Sequence, residues 1–190
     1  RYLSPMAWNG SNGAFVGQPG YATFTAWRNT PLESAARDFM LARAGLPLGA
    51  LLWTFGTRQH PDGDGWTADV GRIALGAGQL SIAPDANGRV TLVSPAGLPA
   101  TAQTAERFVL GVDPQAGLRR VRIQGRAANG GWQTLADAAG ADLRETAAGV
   151  AITRNAGSRA LAIDQLRIEM TFRATTPRPL LRIATIPAAR

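Results

Sequence analysis

The chain has 190 residues, 45% hydrophobic and 17% charged, a balance that suits a globular domain and excludes a disordered one. It holds no cysteine and one histidine, which excludes disulfides, thiol chemistry and a zinc cluster. All 20 basic residues are arginine, set against 13 acids for a net charge of +7. The arginines run from Arg1 to Arg190 without one dense cluster, which argues for codon bias and against a dedicated nucleic-acid surface.

In chain order, "GYATFTAW" (Gly20 to Trp27) alternates and predicts a strand. "TPLESAARDFMLARAG" predicts a helix over 31–44. Thr30 is its N-cap, Pro31 takes the first position, and Glu33 completes a capping box. Leu32, Ala36, Phe39 and Met40 form its core face, and Gly45 suits the stop. The apolar run "AGLPLGALLWTF" (Ala44 to Phe55) has only 12 residues, with a proline and two glycines inside. A membrane span needs about 20, so the chain as given is expected to be soluble. An anchor upstream of Arg1 is left open.

The remainder reads as strand. "GQLSIAPDANGRVTLV" (Gly78 to Val93) predicts two short strands around a "PDANG" turn. "ERFVLGV" (Glu106 to Val112) and "GVAITR" (Gly149 to Arg154) follow. "QLRIEMTF" sets Leu166, Ile168, Met170 and Phe172 on one side and Arg167, Glu169 and Thr171 on the other. "LLRIATI" (Leu180 to Ile186) is the last strand. Glycine and proline punctuate about every ten residues. That spacing predicts a mainly β fold, an antiparallel β-sandwich of jelly-roll type with one N-terminal α-helix. We divide it into an N-terminal extension, residues 1–65, packed on a sandwich of residues 66–190, the two forming one structural unit.

"LRRVRIQGRAANGGWQTL" (Leu118 to Leu135) crowds four arginines ahead of a glycine turn and a tryptophan. Val121 and Ile123 point one way; Arg120, Arg122, Gln124 and Arg126 point the other. A half-buried strand with a wet basic face explains the arginines without a ligand, and "AANGG" suits a reversal. The three arginines in line, Arg120, Arg122 and Arg126, could nonetheless clasp carboxylates or phosphates bidentately. Of the five tryptophans, Trp27 and Trp53 lie in apolar strands. Trp8, Trp66 and Trp132 sit beside polar turns and are the candidates for exposure, where an aromatic face stacks on a sugar ring. The candidate ligand-binding residues are therefore Arg122, Arg126, Trp132 and Trp66.

"HPDGDGWTAD" (His60 to Asp69) opens like a calcium loop, with Asp62 and Asp64 as oxygen ligands. The twelfth-position glutamate and the flanking helices are missing, and Asp-Gly is an ordinary turn former. A structural Ca2+ at Asp62 and Asp64 is the one cofactor the sequence suggests. Catalysis finds little support: no G-x-S-x-G elbow, no phosphate loop and no zinc set is present. A carboxylate pair for glycoside cleavage meets in space rather than in sequence, so enzyme activity stays open while the balance falls against it.

"LRRVRIQGRAANGGWQTLAD", the later "LAIDQLRIEM" and "LLRIATI" resemble the galactose-binding-like jelly-rolls, a group that includes discoidin-type and several carbohydrate-binding modules. The resemblance spans about residues 66 to 186. The terminal cysteine pair of discoidin-type domains is absent, and the N-terminal helix is an addition. The resemblance implies a non-catalytic binding or assembly module outside the cytoplasm, periplasmic or secreted. The expectation is a glycan-binding or accessory domain of a bacterial envelope or secreted protein, with a glycan or an envelope protein as partner. The alternative is a structural subunit or periplasmic domain of an assembly: a secretion or pilus-like component, a phage particle protein, or the soluble part of a membrane glycosyltransferase.

Overall fold

The structure is a computed structural model; it describes Ala42, Leu46 and residues 51–54, 65–76, 79–98, 104–113, 117–146, 149–158 and 163–187. Among the described residues, thirteen strands build three antiparallel sheets. The strands are β1 (Leu51–Thr54), β2 (Thr67–Val70), β3 (Arg72–Gly76), β4 (Gln79–Ala83), β5 (Arg89–Val93), β6 (Ala105–Leu110) and β7 (Leu118–Arg126). They continue with β8 (Gln133–Ala139), β9 (Arg144–Thr146), β10 (Gly149–Thr153), β11 (Gln165–Phe172), β12 (Arg178–Leu180) and β13 (Arg182–Pro187). One five-stranded sheet has the order β1-β13-β6-β10-β9, a second β2-β5-β11-β7-β8, and a three-stranded sheet β12-β4-β3.

Period-two alternation decides which side of each strand is dry. In β11 the residues Leu166, Ile168, Met170 and Phe172 are buried, while Arg167, Glu169 and Thr171 between them are not. In β7 Val121 and Ile123 are fully buried, and Arg120, Arg122 and Arg126 stand on the other face. The first sheet answers with Phe108 and Leu110 from β6, Val150 and Ile152 from β10, and Ile183 from β13. Leu80, Ile82 and Leu180 of the small sheet join the same cluster. The structure is thus a mainly β antiparallel sandwich around one shared core.

The outer face of the first sheet is also apolar in part. Val109 and Ala184, cross-strand partners, lie in a second buried cluster with Ile186 and Leu46. β1, which falls in the stretch assigned to the extension, pairs with β13. Arg154, just after β10, is 2% exposed. Its guanidinium donates to the Ala105 carbonyl at 3.2 Å, to the Ser158 hydroxyl at 3.2 Å and to the Ser158 carbonyl, so the buried charge is well supplied with acceptors.

Two expected features take a different form. The residues 78–93 do give two strands around a turn, but β4 and β5 belong to different sheets. Asp85 accepts from the backbone N–H groups of Asn87 and Arg89 at 2.9 and 2.8 Å, closing the turn without requiring the strands beyond it to pair. Gly88, with φ of 75°, occupies the left-handed region the turn needs. The last strand, Leu180 to Ile186, is broken at Leu181, which is 43% exposed. Its N–H donates to the Gly111 carbonyl, and the Gly111 N–H donates to the Arg182 carbonyl, at 2.9 and 2.8 Å. The chain changes sheets there, from β12 to β13. The predicted helix over 31–44 lies, apart from Ala42, outside the described residues, as do the predicted strand Gly20 to Trp27 and the pair Asp62 and Asp64.

Candidate functional site: the open face of the second sheet

The second sheet turns one face to the core and the other to solvent. Cross-strand pairing sets the solvent-side rows: Arg126 opposite Gln165, Gln124 opposite Arg167, Arg122 opposite Glu169, and Arg120 opposite Thr171. β8 adds Asp137 opposite Arg122, and β5 adds Arg89 opposite Thr171. The rows follow from alternation in β7 and β11 once the register is set.

A chain of alternating charges crosses this face. Arg120 grips Asp137 bidentately, Nε to Oδ1 at 2.7 Å and Nη2 to Oδ2 at 2.6 Å. Arg122 reaches the same carboxylate at 3.2 Å and Glu169 at 3.7 Å. Arg167 lies 4.0 Å from Glu169 and 3.6 Å from Asp69 of β2. Hydrogen bonding from Arg120, and then from Arg122, holds the Asp137 carboxyl below the usual carboxylate range, against the opposing effect of partial burial. The same contact raises the Arg120 pKa. Arg89 is paired within its own turn, 3.5 Å from Asp85. Arg89, Arg120, Arg122, Glu169 and Thr171 line an open depression of about 170 Å³.

Arg126 stands apart. Its Nε and Nη2 both donate to Gln165 Oε1, at 2.9 and 2.5 Å. Gln165 in turn donates to the Ser94 carbonyl at 2.6 Å, which fixes the amide with its oxygen toward the arginine. The Arg126 guanidinium lies 4.8 Å from the centre of the Trp132 ring, and that of Arg167 lies 5.8 Å from it. Both distances fall within cation–π range. Arg126 therefore has a neutral amide and an aromatic ring as partners, and no carboxylate among the described residues.

The structure brings together Arg126 and Trp132, places Arg122 on the same face four residues away along β7, and removes Trp66 from the set. Trp66 is 3% exposed and belongs to the central core. Gly65, with φ of 74°, turns the chain so that Trp66 and Ala68 drop toward the core while Thr67 and Asp69 face solvent. Trp132 is half-buried. Reading the sequence missed Arg167, Gln165, Glu169, Asp137 and Arg89. The alternation of β11 already set Arg167 and Glu169 outward; what it lacked was the pairing that puts them beside β7. Among the described residues there is no group of three or more His, Cys, Asp or Glu side chains placed to hold a metal ion. Among the same residues, no helix is long and apolar enough to cross a membrane.

No protein-family model and no curated protein matches this chain. Several solved structures are similar at the level of coarse architecture. A Ruminococcus gnavus GH29 fucosidase matches at 12% identity and TM-score 0.42, over 68% of this chain and 26% of that one. TmCBM27, a carbohydrate-binding module described for specific mannan recognition, matches at 12% identity and TM-score 0.42, over 73% of this chain and 96% of that one. PfGH50B matches at 9% identity and TM-score 0.40, over 64% of this chain and 21% of that one. The chain thus corresponds to about a quarter of the fucosidase's length. At these scores the matches assign no superfamily, no ligand and no residue.

Proposed function

We propose that this β-sandwich is a non-catalytic glycan-binding module that uses the open face of its second sheet. The observation that carries the reading is Trp132, a half-buried indole held against this polar face by Arg126 and Arg167. A sugar ring offers an apolar C–H patch and a rim of hydroxyls. The exposed part of the indole suits the first. The second needs donors and acceptors side by side, which the Arg–Asp–Arg–Glu chain and the depression beside it supply. The reading includes an extracytoplasmic location, supported by the sequence resemblance alone.

Glycan-array binding that persists in moderate salt is the expected result. Trp132→Ala should weaken it roughly tenfold or more, as loss of a central aromatic anchor does, without lowering the melting temperature appreciably. A silent array combined with concentration-dependent self-association would sink this reading and favour an assembly subunit.

A further inference from the structure

We infer that the glycan is acidic, and that Arg126 is the residue that takes its carboxylate or sulfate group. The inference rests on the glycan reading and narrows it to a chemical class. Arg120, Arg122 and Arg167 share a chain with the acids Asp137, Glu169 and Asp69, and Arg89 has Asp85. Arg126 has no such counterpart among the described residues. Its Nε edge is oriented by Gln165, and its cation lies over the Trp132 ring. A preorganised guanidinium lacking a carboxylate gains most when a ligand brings one. Beside it stands the indole, so an anionic sugar finds its charge partner and its apolar platform in one place.

The depression lies about 13 Å away along β7, four residues at the usual strand rise. There the arginines are balanced by Asp137 and Glu169, which suits hydroxyls and repels a second anion. The face as a whole fits a chain with sparse charge. A nucleic-acid strand carries a phosphate at every step and needs successive stacking platforms. On this face it would meet Asp137 and Glu169, and Trp132 is the one tryptophan found there among the described residues.

Titration of the whole chain against matched polymers tests this: polygalacturonate with its carboxyl-reduced counterpart, dextran sulfate with dextran, and oligo-dT. At least one acidic polymer should bind roughly tenfold tighter than its neutral counterpart, the value of one charge-assisted contact; whichever pair separates identifies the anion. Arg126→Gln should bring that ratio close to one, and Arg126→Lys should keep part of it. Equal binding of acidic and neutral polymers overturns the acidic assignment and leaves the glycan reading standing. A preference that survives in Arg126→Gln overturns the role of Arg126. Binding to none of the four polysaccharides removes the glycan reading and this inference with it, and oligo-dT binding tighter than both acidic polymers replaces them with a nucleic-acid ligand.

Discussion

Asp137 holds two guanidinium groups on one carboxylate, and its lowered pKa makes that arrangement a source of pH dependence. A carboxyl whose folded pKa lies below its unfolded value near 3.8 stabilises the fold above that value and loses the contribution as the pH falls through the folded pKa. Asp137→Asn should therefore cost little of the steepness seen above pH 5 and should flatten the loss of stability on acidification below about pH 4. Urea midpoints of both proteins between pH 6 and pH 2.5 check this; parallel curves would refute it. Trp66 and Trp132 both follow glycine turns, and the turn alone made both look exposed. Parity distinguishes them. Trp66 falls in step with Ala68, on the core side, while Trp132 falls in step with Thr134, which pairs with the outward Gln124. For Trp66 that information lay in the residues after it; for Trp132 it did not, because the extra residue at Leu135 shifts the register of β8 and sends Ala136 and Ala138, in step with the tryptophan, into the core.

Strands were legible where alternation was strong. In β11 every residue falls on its expected side, and β7 and β8 form the expected hairpin, with Gly130 N–H donating to the Ala127 carbonyl at 3.0 Å. Their partners were less legible, because a turn signal reports a change of direction and says nothing about which strand lies beyond. β4 and β5 share a turn and separate into two sheets; β12 and β13 are nearly continuous and do the same. The turn before β5 is nevertheless demanding. A Cβ at Gly88 would run into the Phe172 carbonyl oxygen, and the Gly88 carbonyl accepts from the Phe172 N–H at 2.8 Å. Gly88→Ala should cost about 2 kcal/mol or more, from positive φ and the forced separation of β5 and β11 combined. Chemical denaturation measures it directly, and a loss below 0.5 kcal/mol, the size typical of a neutral surface change, would show that the turn relaxes.

Across the whole molecule, the candidate site is a product of assembly. Asp69, Arg122, Asp137 and Glu169 come from four strands spread over 100 residues of sequence, and only the sheet order β2-β5-β11-β7-β8 sets them in one line. Residue types and their sidedness could be read in advance; their register could not, because pairing depends on contacts between distant segments. The same dependence bears on biosynthesis. In the first sheet β13 stands between β1 and β6, so residues 51–54 must wait for residues 182–185 before they have a strand neighbour among the described residues. Contacts of such long range close slowly. Arrested nascent chains of increasing length should stay protease-sensitive through residue 177 and become resistant only when residue 187 has cleared the ribosome; early resistance would show that the second sheet folds by itself. Until then the edge of β6 that takes β13 lacks that partner, and this interval is when the newborn chain most needs a chaperone or a quick exit from the crowd.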